Sequence, residues 1–138
     1  MTRTMIALLA SAGFATAAFA QSDNMTPGVT ASNQDVSGGS VTAESVTAPE
    51  AGWLVVHRTD ADMKPGPVVG HTALQAGENE NVTADLDEEV ASGDMLMLMV
   101  HSEAGGNEEG VFEYTLGATE DGPIKVDGEL VQTTVTAQ

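Results

Sequence analysis

The hydrophobic positions of this chain fall into short runs, without the sustained spacing of three to four residues that marks a long amphipathic helix. The two densest apolar runs are residues 52–58 (GWLVVHR) and residues 95–101 (MLMLMVH). Residues 81–86 (NVTADL) alternate between polar and apolar positions instead. Compact apolar runs and strict alternation, both bounded by turn residues, are typical of β-strands.

Weaker runs of the same kind predict further strands, separated by loops rich in Gly, Pro, Asp and Asn. About seven short strands without a long helix predict an all-β fold, an antiparallel Greek-key β-sandwich of the immunoglobulin-like type. A small closed barrel is the alternative. The further predicted strands are residues 41–46, 67–71, 111–116 and 130–136.

The first 20 residues have the pattern of a signal peptide. Arg3 precedes an apolar, alanine-rich stretch, and Ala18-Phe19-Ala20 provides the small residues that signal peptidase requires before Gln21. The apolar stretch is too short to favour a membrane span. We therefore expect a periplasmic or secreted protein whose mature chain is not inserted in a membrane.

The mature chain divides into two parts by composition. Residues 21–40 are polar, contain Gly, Ser, Asn and Pro, and lack periodicity, which predicts a flexible leader. Residues 41–138 carry the strand signals and are predicted to form the β-sandwich domain.

The charge of the mature chain is strongly negative. Without Arg3, three basic residues stand against 21 acidic ones, a formal charge of −18. This charge repels phosphates and anionic lipids, so we expect neither nucleic acid nor membrane as a partner. A negative charge of this size can attract cations, or it can keep the protein soluble in salty surroundings. The chain contains no cysteine, which excludes disulfides, thiol catalysis and thiolate metal sites.

Histidine and methionine are the side chains that suggest a metal. A thioether and imidazole set suits copper, above all Cu(I), in an oxidising compartment. If residues 52–58 and 95–101 are adjacent antiparallel strands, their histidines are predicted to lie at opposite ends, about 20 Å apart. That spacing allows a His–Met pair but no three-ligand cluster. The candidate ligands are His57, His101, Met97 and Met99; the third histidine, His71, ends another predicted strand.

The same strand has a packing interpretation. Leu96, Leu98 and Val100 can face the core while the intervening methionines occupy the opposite face. Two apolar faces in a domain with one core require a second cover, either a loop or another protein. The predicted interaction face is formed by Met95, Met97 and Met99.

Other chemistry has weaker support. The acidic loops contain oxygen ligands that calcium prefers, but none fits an EF-hand. No hydrolase, zinc-protease or P-loop motif is present, so we expect no catalytic residues and no enzyme activity. Trp53 and Tyr114 are better explained as core residues than as a carbohydrate platform. The acidic groups are Asp60/Asp62, Asp85/Asp87/Glu88/Glu89 and Glu103/Glu108/Glu109.

Four segments together resemble a domain of unknown function found in exported and cell-surface proteins of salt-loving archaea and marine bacteria. They are GWLVVHR, GPVVGH with LQAGENENVTADL, MLMVHSE, and EDGPIKVDGELV. His57, His101 and Asp121-Gly122-Pro123 match the family pattern, whereas Arg58 stands where an acidic residue is more usual. The resemblance implies an extracytoplasmic β-sandwich with an acidic surface and implies no established activity.

Two functional hypotheses follow. The first is an exported, non-enzymatic structural or interaction module that contacts another exported or cell-surface protein. The second is a periplasmic copper-binding protein that uses His and Met side chains and has no other cofactor.

Overall fold

The computed structural model describes residues 26–104, 108–114 and 120–138. The predicted signal peptide over residues 1–20 lies outside these ranges. Within them the chain forms nine strands and no helix, so none of the described segments is a helix long and apolar enough to cross a membrane. The strands are β1 (Gly28–Thr30), β2 (Ser40–Ala48), β3 (Gly52–Thr59), β4 (Val68–Leu74), β5 (Gly77–Asp85), β6 (Met95–Ser102), β7 (Lys125–Val126), β8 (Glu129–Leu130) and β9 (Gln132–Thr136).

Seven of these strands form two antiparallel sheets, and β7 and β8 form a separate small hairpin. The first sheet has the order β1-β2-β5 and the second has the order β4-β3-β6-β9. The chain changes sheets between β2 and β3, between β4 and β5, and again between β5 and β6. These crossings give the Greek-key order of an immunoglobulin-like sandwich, which confirms the predicted fold class.

The core lies between the two sheets and is built from small and branched side chains. Val41, Ala43 and Val46 of β2 face Leu54 and Val56 of β3 across the sandwich, and all are fully buried. The alternation over residues 81–86 is confirmed, since Ala84 belongs to this cluster and Val82 and Leu86 pack against it. Alternation along each strand thus assigns one face to the core.

Strands β3 and β6 are buried on both faces. Leu96, Leu98 and Val100 belong to the core cluster, as predicted. Met97 and Met99 point to the opposite face and are nevertheless only 1% exposed. The second sheet therefore carries an outer apolar layer, and the segment after β6 lies over it.

The strand predicted over residues 111–116 is wrong for its described part. Residues 111–114 are irregular, because Phe112 and Tyr114 place their rings against side chains of the second sheet. Leu116, the last residue of the predicted strand, lies outside the described residues.

The prediction of a flexible leader over residues 21–40 is wrong from Gly28 onward. Gly28–Thr30 pair with β2, and Val36 enters the core with 2% of its surface exposed. Gln34 attaches this segment further, since its side-chain amide hydrogen-bonds to both the backbone nitrogen and the carbonyl oxygen of Thr42. Because its composition is polar, this short segment gives no sign in the sequence that one buried apolar residue and backbone pairing attach it to the sandwich.

We expect Val36→Ala to lower the free energy of unfolding by roughly 2 kcal/mol, because two buried methyl groups are lost and a cavity remains. Urea denaturation at neutral pH measures this change. Val111→Ala is the matched control, since Val111 is 43% exposed and its truncation is expected to cost little. A flexible leader would give both variants the stability of the unaltered protein.

Candidate functional site

The outer face of the β3–β6 pair brings together most of the residues that the sequence marked for chemistry. The antiparallel register places His57 opposite Met97, Val55 opposite Met99, and Trp53 opposite His101. The two histidines are therefore offset by four residues along the pair, with the Val55–Met99 pair between them. The expected antiparallel adjacency of the two apolar strands is confirmed, and the residue opposite His57 is a methionine.

The two imidazoles lean toward each other and meet over this central pair. His57 Nε2 lies 3.4 Å from His101 Nε2, and the ring planes are 29° from parallel with centroids 5.5 Å apart. The predicted separation of about 20 Å is wrong for two reasons. The register offset is smaller than a full strand length, and the backbone spacing ignored the reach of the side chains.

Each imidazole is fixed by its other nitrogen. His57 Nδ1 donates to the Gly66 carbonyl at 2.8 Å, and His101 Nδ1 donates to the Asp121 carbonyl at 2.6 Å. A carbonyl oxygen can only accept, so both protons of the neutral rings reside on Nδ1. The Nε2 lone pairs of both rings consequently point at each other.

Two turns supply these carbonyl oxygens. Gly66 approaches β3 so closely that a Cβ there would collide with the Arg58 carbonyl oxygen, and the Gly66 amide donates to that oxygen at 2.7 Å. Asp121 is fully buried, and its carboxylate accepts from the amides of Ala104 at 3.2 Å and Glu113 at 2.8 Å. Asp121 thereby binds the backbone just after β6 and the backbone between Phe112 and Tyr114.

Aromatic rings cover the imidazole pair. Tyr114 packs edge-on against His101 and His57, with centroid distances of 4.5 and 5.8 Å. Phe112 stacks on His71 at 4.3 Å, and His71 is exposed to solvent. His57 and His101 are 0% and 1% exposed, so the site is closed by the chain itself and the third histidine lies at its rim.

The predicted interaction face is not open to a partner at two of its three residues. Met97 and Met99 are 1% exposed, because the chain's own aromatic segment closes this face. Met95, at the beginning of β6, is only partly buried. The cover that the sequence required is therefore a loop.

The acidic connector between β5 and β6 is bound by the basic side chain of Arg58. The Arg58 guanidinium pairs with Glu88, donates to Asp94 Oδ2 at 3.1 Å and donates to the Glu89 carbonyl at 2.7 Å. These contacts raise the pKa of Arg58, with the Glu88 hydrogen bond as the largest cause. Glu88, a member of one of the acidic groups that were considered for calcium, is thus used in ion pairing. Among the described residues, no three His, Asp or Glu side chains converge as a metal site.

Burial controls the protonation of the imidazole pair. Desolvation lowers the pKa of His57, although the hydrogen bond to Gly66 opposes the shift. Desolvation lowers the pKa of His101 to about 4, and repulsion from a charged His57 acts in the same direction. Both rings are therefore neutral at pH 7.

The sequence missed the groups that position and cover the pair. In the sequence, Asp121 and Gly66 have only the character of turn residues, because a carbonyl oxygen leaves no signature in the side-chain pattern. The aromatic spacing of Phe112 and Tyr114 was visible, but it was interpreted as a strand. The Asp121-Gly122-Pro123 turn was the one sequence signal at this place, and the burial of Asp121 is visible only in the structure.

We expect the metal-free protein to lose stability as the pH falls below 6.5. Below pH 6.5 the histidines of the unfolded chain bind protons, whereas the folded pair, with its lowered pKa values, does not. Protonation therefore stabilises the unfolded state relative to the folded state. For His101 alone the loss approaches about 3 kcal/mol near pH 4. Urea denaturation in a chelator between pH 7.5 and 4.5 measures it. His71→Gln should retain the loss and His101→Gln should reduce it; an unchanged slope in His101→Gln would contradict this origin.

Comparison with known proteins identifies a family profile and curated relatives. The profile of a family described as a domain of unknown function, DUF7282, matches residues 27–138. Cell surface glycoprotein 2 of Haloarcula hispanica is 32% identical over 104 residues, covering 75% of this chain and 10% of that glycoprotein. Cell surface glycoprotein 1 of the same organism is 33% identical over 81 residues, covering 58% of this chain and 8% of that protein.

The chain thus spans about a tenth of the length of these curated relatives. No solved structure matches it. The family match begins at residue 27, next to β1, and continues to the end of the sandwich. This chain belongs to the DUF7282 family.

Proposed function

We propose that this chain is an exported, non-enzymatic structural module that contacts another exported or cell-surface protein. The observation that carries the proposal is the match of one sandwich to a small part of two cell surface glycoproteins. A unit that accounts for about a tenth of a large surface protein is well suited to a structural or contact role. The covered imidazole pair supports the non-enzymatic part, since a substrate in solution does not reach it.

The edge strands of the second sheet, β4 and β9, are partly covered by other parts of the chain. This supports a module that does not add a strand from another protein. The Asp87 backbone amide donates to the Val69 carbonyl of β4, and the Asn33 side-chain oxygen accepts from the Thr136 amide of β9 at 2.8 Å. The neighbouring Gln34 forms a bridge with Ala137. Covered edges protect a secreted sandwich from aggregation, so a partner is contacted through surface side chains.

Strand β5 supplies such side chains. It lies at an edge of the first sheet, and Glu78, Glu80 and Asp85 are exposed along it. Charge on an edge strand discourages pairing with another strand. It favours a partner that presents basic side chains or binds through cations.

We expect the melting temperature to rise by about 5 °C or more between 0.1 M and 2 M NaCl. Salt shortens the Debye length from about 10 Å to a few Å and screens repulsion among the acidic side chains. Differential scanning calorimetry at pH 7.5 measures the shift. A variant with Glu78→Gln and Glu80→Gln should gain less from salt, and a melting temperature that falls with NaCl would refute the electrostatic origin.

Export is tested with a C-terminally tagged full chain in the source organism. We expect a product that begins at Gln21 in the extracytoplasmic fraction, recovered with a crosslinked exported or surface protein. Ala20→Arg should block cleavage and serves as the control. Uncut chain in the cytosol would contradict export, and an extracytoplasmic chain that crosslinks to nothing would contradict the contact role.

A further inference from the structure

The two Nε2 atoms of the imidazole pair form a geometry that suits a shared cation. Metal-ligating histidines almost always donate their other ring N–H to a carbonyl or carboxylate, which fixes the tautomer and the ring orientation. Both His57 and His101 have this arrangement, with Gly66 and Asp121 as the acceptors. Their free lone pairs converge, as two ligands of one ion would.

The distance between the two nitrogens fits a metal between them. For metal–nitrogen bonds of about 2.0–2.1 Å, a separation of 3.4 Å between His57 Nε2 and His101 Nε2 corresponds to an angle at the ion of roughly 110°. That angle lies in the range of trigonal and tetrahedral coordination. It leaves room for a third ligand on the same face of the sheet.

The β3–β6 register identifies the methionine that is best placed for both imidazoles. Met99 is two residues from His101 on the same face of β6, and it is the diagonal neighbour of His57 across the pair. Diagonal neighbours across a strand pair are close enough for long side chains to contact each other. Met97 is directly opposite His57 but four residues from His101, so Met99 is the better placed thioether.

A shared proton is the competing explanation for the close nitrogens. It requires one ring to be an imidazolium at neutral pH. Burial opposes that charge, because His57 and His101 are 0% and 1% exposed and desolvation disfavours the charged form of an imidazole. A proton shared between the rings would therefore form only in acid.

We propose that His57 and His101 bind a Cu(I) ion through their Nε2 atoms, with the Met99 thioether as the third ligand. Soft thioether donors select Cu(I), and Cu(I) is satisfied by so few ligands in a buried site. Zinc usually requires four N, O or S(thiolate) ligands or an open water position. In the described part of the chain no third His, Asp or Glu joins the pair.

The experiment is a Cu(I) titration of the purified chain without oxygen, in competition with a chromophoric Cu(I) chelator. Copper is added to the folded protein and also during refolding from urea, because the imidazoles are buried. We expect one Cu(I) per chain. Affinity should fall at least about 100-fold in His57→Gln and His101→Gln, and about 10-fold or more in Met99→Leu.

His71→Gln and Met95→Leu are the matched controls, since they remove a histidine and a methionine that the proposed site does not use. Both should bind like the unaltered chain. X-ray absorption of the copper-loaded unaltered chain should give two nitrogen ligands and one sulfur ligand, a readout that holds even if a histidine variant fails to fold. Absence of Cu(I) binding, a shell without sulfur, preference for Zn²⁺, or equal loss in His71→Gln would overturn the proposal.

Discussion

The pairing of β3 with β6 is the constraint on which the rest of the molecule depends. Eight consecutive residue pairs join the two strands, from Gly52 opposite Ser102 to Thr59 opposite Met95. Alternation along these strands produces two buried faces, one in the sandwich core and one beneath the loop after β6. Since each large side chain that is fully buried contributes about 1.5–3 kcal/mol, the outer layer is a substantial part of the stability of a chain without disulfides.

The need to cover the outer face explains the path of the chain after β6. Phe112 and Tyr114 place their rings against the outer face, and Gly122 lies alongside the end of β6, where its carbonyl oxygen accepts from the Ser102 amide. The neighbouring Asp121 carbonyl oxygen thereby lies at His101. The cover that removes water from the methionines therefore also fixes one imidazole and lowers the pKa of both.

Much of the fold could be predicted from periodicity, because apolar runs and alternation report burial directly. The bounds of β3 and β6 were predicted within a residue, and the two apolar faces of β6 correctly indicated a second cover. The role of residues 28–40 could not be predicted, since Val36 is a single apolar residue in polar surroundings. The imidazole contact was also inaccessible, because it depends on the strand register and on side-chain reach. The two carbonyl oxygens that orient the rings come from turns whose sequence indicates only a change of direction.

In this structure the chain itself closes the outer face of β3–β6 and fixes two neutral imidazoles with their Nε2 atoms toward each other. Nitrogen-15 NMR of the histidine rings in metal-free protein at pH 7 is the decisive measurement. His57 and His101 should both be Nδ1–H tautomers whose Nδ1 protons exchange slowly with water, whereas His71 should exchange rapidly. Nε2–H tautomers, or fast exchange at all three rings, would contradict this arrangement.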